Sequence, residues 1–146
     1  MKKLLIISLF CTSVFSACNT GVSNNAQQPE INDLKERVIA IHDTAMMQMN
    51  VLGKLGTQLQ ERAKGSADSV IYAAAYVETA DARQAMMNWM HEFDIPKRSE
   101  TSEDSVRAYL LKEENKIRKV KNGMFKARED AEKLLFEKIA PDTTKG

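Results

Sequence analysis

"VRAYLLKEENKIRKVKNGMFKAREDAEKLL", Val106 to Leu135, decides the fold. Val106, Leu110, Glu113, Ile117, Val120, Met124, Ala127, Ala131, Leu134 and, just beyond the stretch, Lys138 recur at alternating spacings of four and three. Residues spaced this way share one side of a helix, because about 3.6 residues complete a turn. Eight of those ten positions are apolar, which makes the stripe a packed seam rather than one side of a free helix. The acidic residues between them sit beside lysines and arginines, as i,i+4 partners on a solvated side do.

A seam needs partners, and the chain before it supplies two. From Pro29, which suits a first helical position because its missing N–H is not needed there, an apolar stripe runs Ile31, Leu34, Val38, Ile41, Ala45, Leu52, Leu55 and Leu59, with Gln48 the one break. Gly65 and Ser66 end this helix, and Asp68 is acidic in the first turn of the next. The second helix runs from Ala67 to Phe93, with Tyr72, Ala75, Tyr76, Thr79, Ala82, Met86, Met90 and Phe93 on one side. "DIPKRSETS", Asp94 to Ser102, breaks it at Pro96. Thr101 and Asp104 have the spacing of a capping box for the third helix. Pro141 stops that helix, and residues 141–146 are a tail. No strand-like alternation or hairpin signal is present. The expected fold is all-α: an antiparallel three-helix bundle of long, coiled-coil-like helices over residues 29–140. Gly53, Gly56 and Gly123 inside helices suggest close backbone approach, especially near Ala73 to Ala75.

The chain opens "MKKLLIISLFCTSVFSAC". Lys2 and Lys3 are a positive n-region, and Leu4 to Phe15 is an apolar run too short to span a membrane well. Residues 1–17 read as a secretory signal. Its end resembles a bacterial lipobox, which implies cleavage before Cys18 and a lipid on the Cys18 thiol; Phe15 departs from the usual leucine. Cys11 leaves with the signal, so the mature domain has no disulfide to form. Residues 18–28 read as a polar tether. They lack the acidic run that resembles a surface-export signal in some lipoproteins, so the expected address is the outer membrane, facing the periplasm.

Charge excludes one class of function. Removing Lys2 and Lys3 lowers the basic residues from 21 to 19, against 20 acidic ones. No global field attracts nucleic acid, and "KIRKVKNGMFKAR" is flanked by acids and reads as a solvated helix side. Catalysis has little support: there is no serine–histidine–acid spacing with a scaffold, glycine-rich phosphate loop or hard-metal carboxylate cluster with metal-ligand spacing.

Placing the turns at Gly65 and near Arg98 estimates which residues share a level along the bundle. Gln48, Arg83 and Glu113 then fall together, and a polar layer with Arg83 bonded to Glu113 is expected; the rival is that Arg83 reaches out along the core edge. His42 falls level with Asn88, so His42, Met46 and Met49 on the first helix face Met87, Met90 and His91 on the second. Imidazole and thioether groups suit Cu(I) or Ag(I), whereas methionines also fill irregular gaps in helical cores. Trp89 points off the core centre. It either forms an exposed apolar end with Phe93 and Ile95, a contact surface for a partner, or packs on the third helix near Tyr109.

From "ADARQAMMNWMHEF" through the third helix, the chain resembles a group of short helical lipoproteins of Bacteroidota, some labelled "viral A-type inclusion protein". The resemblance covers most of the mature length and implies an envelope address and a bundle; it adds no catalytic residue. The resulting expectation is a non-enzymatic, lipid-anchored envelope protein with a structural or interaction role. It is held to the membrane through Cys18 and has an envelope protein as partner. The alternative is a small periplasmic soft-metal binder.

Overall fold

A computed structural model describes residues 24–97 and 99–137. The residues read as signal, Cys18, the start of the expected tether, Arg98, Lys138 and the expected tail lie outside the described residues. Three helices pack on one another pairwise: α1 Asn24–Ala63, α2 Ser69–Glu92 and α3 Glu103–Glu137. The all-α three-helix bundle expected from the periodicity is the observed architecture.

Polar contacts between α1 and α3 fix the relative directions. Glu30 binds Arg107 at 2.8 Å, Arg37 binds Glu114 at 3.4 Å, and Gln48 accepts from Arg128 at 3.2 Å. Partners advance together along both helices, so α1 and α3 run parallel and α2 runs back between them. A helix of 40 residues is about 60 Å long. The molecule is therefore a rod with three stacked core clusters. Ile31, Leu34, Val106 and Leu110 fill one end. Val38, Ala45, Leu52, Met86, Trp89, Ile117, Met124 and Ala127 fill the middle. Leu55, Leu59, Tyr72, Ala131 and Leu135 fill the end nearest the α1–α2 turn.

Local chemistry sets the boundaries. Gly65 adopts φ 70°, a left-handed conformation in which glycine has no Cβ to clash. Ser66 then accepts from the Asp68 N–H through its hydroxyl at 3.1 Å, and Asp68 sits at the N-cap of α2 rather than in its first turn. At α3 the cap is Ser102, not Thr101: the Ser105 N–H reaches the Ser102 hydroxyl at 3.3 Å, and Glu103 and Asp104 occupy the first turn. The boundary shifts by one residue because either hydroxyl could serve and the backbone settles the choice.

α1 starts at Asn24, so it takes in the last residues read as tether, and Pro29 lies inside the helix rather than opening it. Proline's fixed φ is helical, and near a helix end only one exposed hydrogen bond is forgone. In α3 the seam ends on Leu135, with Leu134 and Val120 half-buried. A straight helix drifts by about 20° per heptad against a strict three–four repeat, which carries the inward line from Leu134 to Leu135.

The glycines separate by what they face. A Cβ at Gly56 would lie 3.1 Å from the Thr79 hydroxyl and 3.4 Å from the Tyr76 ring, so the close approach is to these two residues rather than to Ala73 to Ala75. Thr79 is 1% exposed, and its hydroxyl is tied to the Tyr76 carbonyl at 2.7 Å. A Cβ at Gly123 would meet nothing within 4 Å. Gly123→Ala is therefore expected to stabilise the bundle by about 1 kcal/mol, the helix-propensity difference. Gly56→Leu is expected to destabilise it by about 1–3 kcal/mol through overpacking. Urea midpoints of the two variants, moving in opposite directions, check the assignment.

Candidate functional site

The polar residues inside the rod form two separate groups. Glu113 is 2% exposed, and both of its carboxylate oxygens are occupied. The Trp89 indole N–H donates to Oε2 at 3.0 Å, and the Lys116 ammonium donates to Oε1 at 2.8 Å. Lys116 lies one turn along α3, so its stem runs out beside the carboxylate to solvent. Gln48, 6% exposed, instead meets Arg128, whose other side binds Glu132 at 2.9 Å. Arg83 joins neither group. It is exposed, and its guanidinium lies along α1 over Gly53. The expected Arg83–Glu113 layer is therefore corrected: Gln48 and Glu113 are buried, Arg83 follows the core edge, and Trp89 takes its place as the donor to Glu113.

The level estimate failed for a definite reason. Trp89 lies one turn from the end of α2, but Glu113 lies nearly three turns into α3. The linker does not turn back at once. Phe93 is extended at ψ 103°, and Ile95 packs against the end cluster of Ile31, Leu34, Val106 and Leu110. The linker thus continues along α1 in place of the shorter α2 before α3 begins. The Asp94 N–H, donating to the Tyr109 hydroxyl at 2.8 Å, holds it there. The displacement is about six residues, roughly 9 Å of helix.

Trp89 is 5% exposed and belongs to the central core. Its ring stacks on Phe93 at 4.7 Å, and Phe93 stacks on Tyr109 at 6.2 Å. The reading of Trp89 and Phe93 as an exposed contact surface is overturned. The reading that sends Trp89 toward Tyr109 is the correct one, with Phe93 between the two rings.

His42 approaches the other side of Trp89, with centroids 5.7 Å apart. Its Nδ1 lies 2.9 Å from the Asp43 carboxylate. Met46, Met49 and Met90 are partly buried and pack against the same central cluster. Met87, 49% exposed, and His91, also exposed, stand on the solvent side of α2. Of the six residues singled out for soft-metal chemistry, four border the core and two do not. Among the described residues, no three His, Cys, Asp or Glu side chains gather as a metal site. The recess lined by Asn32, Lys35, Glu36, Ile39, Ala40 and Asp43 is a furrow along one helix.

The charged network has a consequence for pH. Lys116 is held above its ordinary 10.5, chiefly by its hydrogen bond to Glu113, and Lys126 likewise by Asp130. Burial pushes the Tyr109 hydroxyl above its ordinary 10.0. All three keep a proton in the folded state that the unfolded chain has begun to lose. Stability is therefore fully present below about pH 10 and falls as pH rises through the folded-state values. Urea midpoints measured from pH 8 to pH 11 are expected to decline only above about pH 10, and less steeply in Lys116→Met.

No family model, curated protein or solved structure matches the chain.

Proposed function

We propose that this chain is a non-enzymatic, lipid-anchored protein of the cell envelope, a rigid helical spacer or interaction module held to a membrane through Cys18. The observation that carries the reading is the signal-like opening ending at Cys18, followed after only residues 19–23 by the start of α1. So short a connection reaches at most about 20 Å. It would hold the α1 end of the rod close to the bilayer. Acyl chains contribute about 0.8 kcal/mol per buried CH₂, which holds a protein without a spanning helix. Among the described residues no helix is long and apolar enough to cross a membrane. The non-enzymatic part is supported by the interior: the Gln48 amide oxygen, the Thr79 hydroxyl and the Glu113 carboxylate are each bonded within the bundle itself.

The test is fractionation of cells producing the full chain. The mature protein is expected to stay with membranes after a high-salt wash, with acyl mass on its N-terminal peptide. Cys18→Ser is expected to move it to the soluble envelope fraction. A Cys18→Ser chain that remains membrane-bound would sink the anchor.

Soft-metal binding stands as a second reading, favoured by one observation: His42, Met46, Met49 and Met90 border the same cluster. The thioethers are already used in packing, and the Asp43 carboxylate faces His42 Nδ1. The expected result of adding Ag(I) to the purified protein is an unchanged melting temperature. A ligand at about 100 times its Kd would add about 2.7 kcal/mol, several degrees of Tm. A rise of that size would favour the metal.

A further inference from the structure

α2 is apolar on two opposite sides. Tyr72, Thr79 and Met86 face the core. About 180° away, at 100° per residue, lie Val70, Ala73, Ala74 and Val77, all exposed to solvent. Val70 is 78% exposed and Val77 51%, with Ile71 at 51% on the border of the same side. Ser69 to Val77 contains no charged residue. A helix that is apolar all round is ordinarily covered all round, yet α1 and α3 cover only the inner side.

We propose that a second copy of this chain covers the outer side, by antiparallel, two-fold pairing of α2 with α2 centred between Ala73 and Ala74. This inference goes beyond the anchoring reading and does not depend on it. A two-fold interface must match itself, and this one does. About that centre, Ala73 of one copy meets Ala74 of the other, and Val70 meets Val77. The small residues let the helices approach, and the valines close over both ends.

Charge favours the same arrangement. One end of the apolar side leads to Lys64 in the turn, and the other to Glu78 and Asp81. Antiparallel pairing sets Lys64 of each copy near Asp81 of the other; parallel pairing would set like charges together. Asp81 makes no ion pair among the described residues. Among the described residues the Lys64 ammonium is held by an exposed i,i+3 contact to Glu61, which is worth little and easily exchanged. The acidic end also argues against a lipid surface, since helices that lie on membranes carry Lys and Arg beside their apolar side.

The area sets the strength. A side of this size buries on the order of 400–500 Å² per copy, about half of a standard interface. The dimer is accordingly weak in free solution.

The test uses residues 19–146, which keep every residue buried among those described, from Ile31 to Leu135, and contain no cysteine. Sedimentation equilibrium from about 5 to about 500 μM is expected to show a reversible monomer–dimer exchange, with Kd raised at least about tenfold by Val77→Lys. Val77 is exposed, so the melting temperature of that variant should stay near wild type. Under mild oxidation Ala74→Cys is expected to form a disulfide dimer, while Asn50→Cys on α1 does not. A chain that stays monomeric across the range would overturn the proposal. So would a dimer indifferent to Val77→Lys, or a monomer that binds vesicles of anionic phospholipid through Val77.

Discussion

Trp89→Ala is expected to lower the stability of the bundle by about 3–5 kcal/mol, the usual cost of emptying a buried aromatic site. For a domain of this size that is a fall in melting temperature on the order of 10–20 °C. Three losses combine. The ring leaves the central cluster, where it is 5% exposed. Phe93 loses the surface it stacks on at 4.7 Å, and with it part of the linker's seat. Glu113 loses the indole donor to Oε2 and keeps only Lys116. Trp89→Phe should recover much of the first two losses and none of the third. Thermal unfolding of the three proteins orders them wild type, Trp89→Phe, Trp89→Ala. An alanine variant within about 1 kcal/mol of wild type would contradict the burial.

The contrast between helices explains what was legible in the sequence. α1 and α3 alternate apolar and charged sides, so periodicity alone located Ile31, Leu34, Val38, Leu52, Ile117 and Met124 in the core. α2 has alanine and valine on both sides, and its period has little to contrast with. Past Met86 the inward line passes to Trp89, three residues on, whose ring enters the central cluster and whose N–H reaches Glu113. The strict pattern therefore chose Met90 and Phe93, which are half-buried, and passed over Trp89.

The polar core was half legible. Gln48 and Glu113 interrupt apolar stripes, and an interruption that survives in a core must be bonded to something. Their partners could not be read from level alone, because the linker's extended path displaces α3 along the rod. Chemical need was the better guide. Glu113 requires donors, and Trp89 has a single N–H that requires an acceptor once buried. Arg83, with a long stem, can always reach solvent.

The Trp89–Glu113 contact can be isolated by a double-mutant cycle. Glu113→Leu removes the buried acceptor and strands the indole N–H, a loss of about 1–3 kcal/mol. Trp89→Phe strands one carboxylate oxygen and leaves unfilled volume. In the double variant neither group is left wanting the other, so its cost should fall short of the sum of the singles by about 1–3 kcal/mol. Glu113→Gln should cost less than Glu113→Leu, because an amide oxygen still accepts from the indole. Thr79→Val supplies the control: Thr79 is ten residues from Trp89 along α2, about 15 Å, and shares no partner with Glu113. Its effect should add to that of Glu113→Leu within about 0.5 kcal/mol. Additivity in both cycles would mean that Trp89 and Glu113 are neighbours without being coupled. The Trp89–Glu113 hydrogen bond would then add nothing of its own to the stability of the middle of the rod.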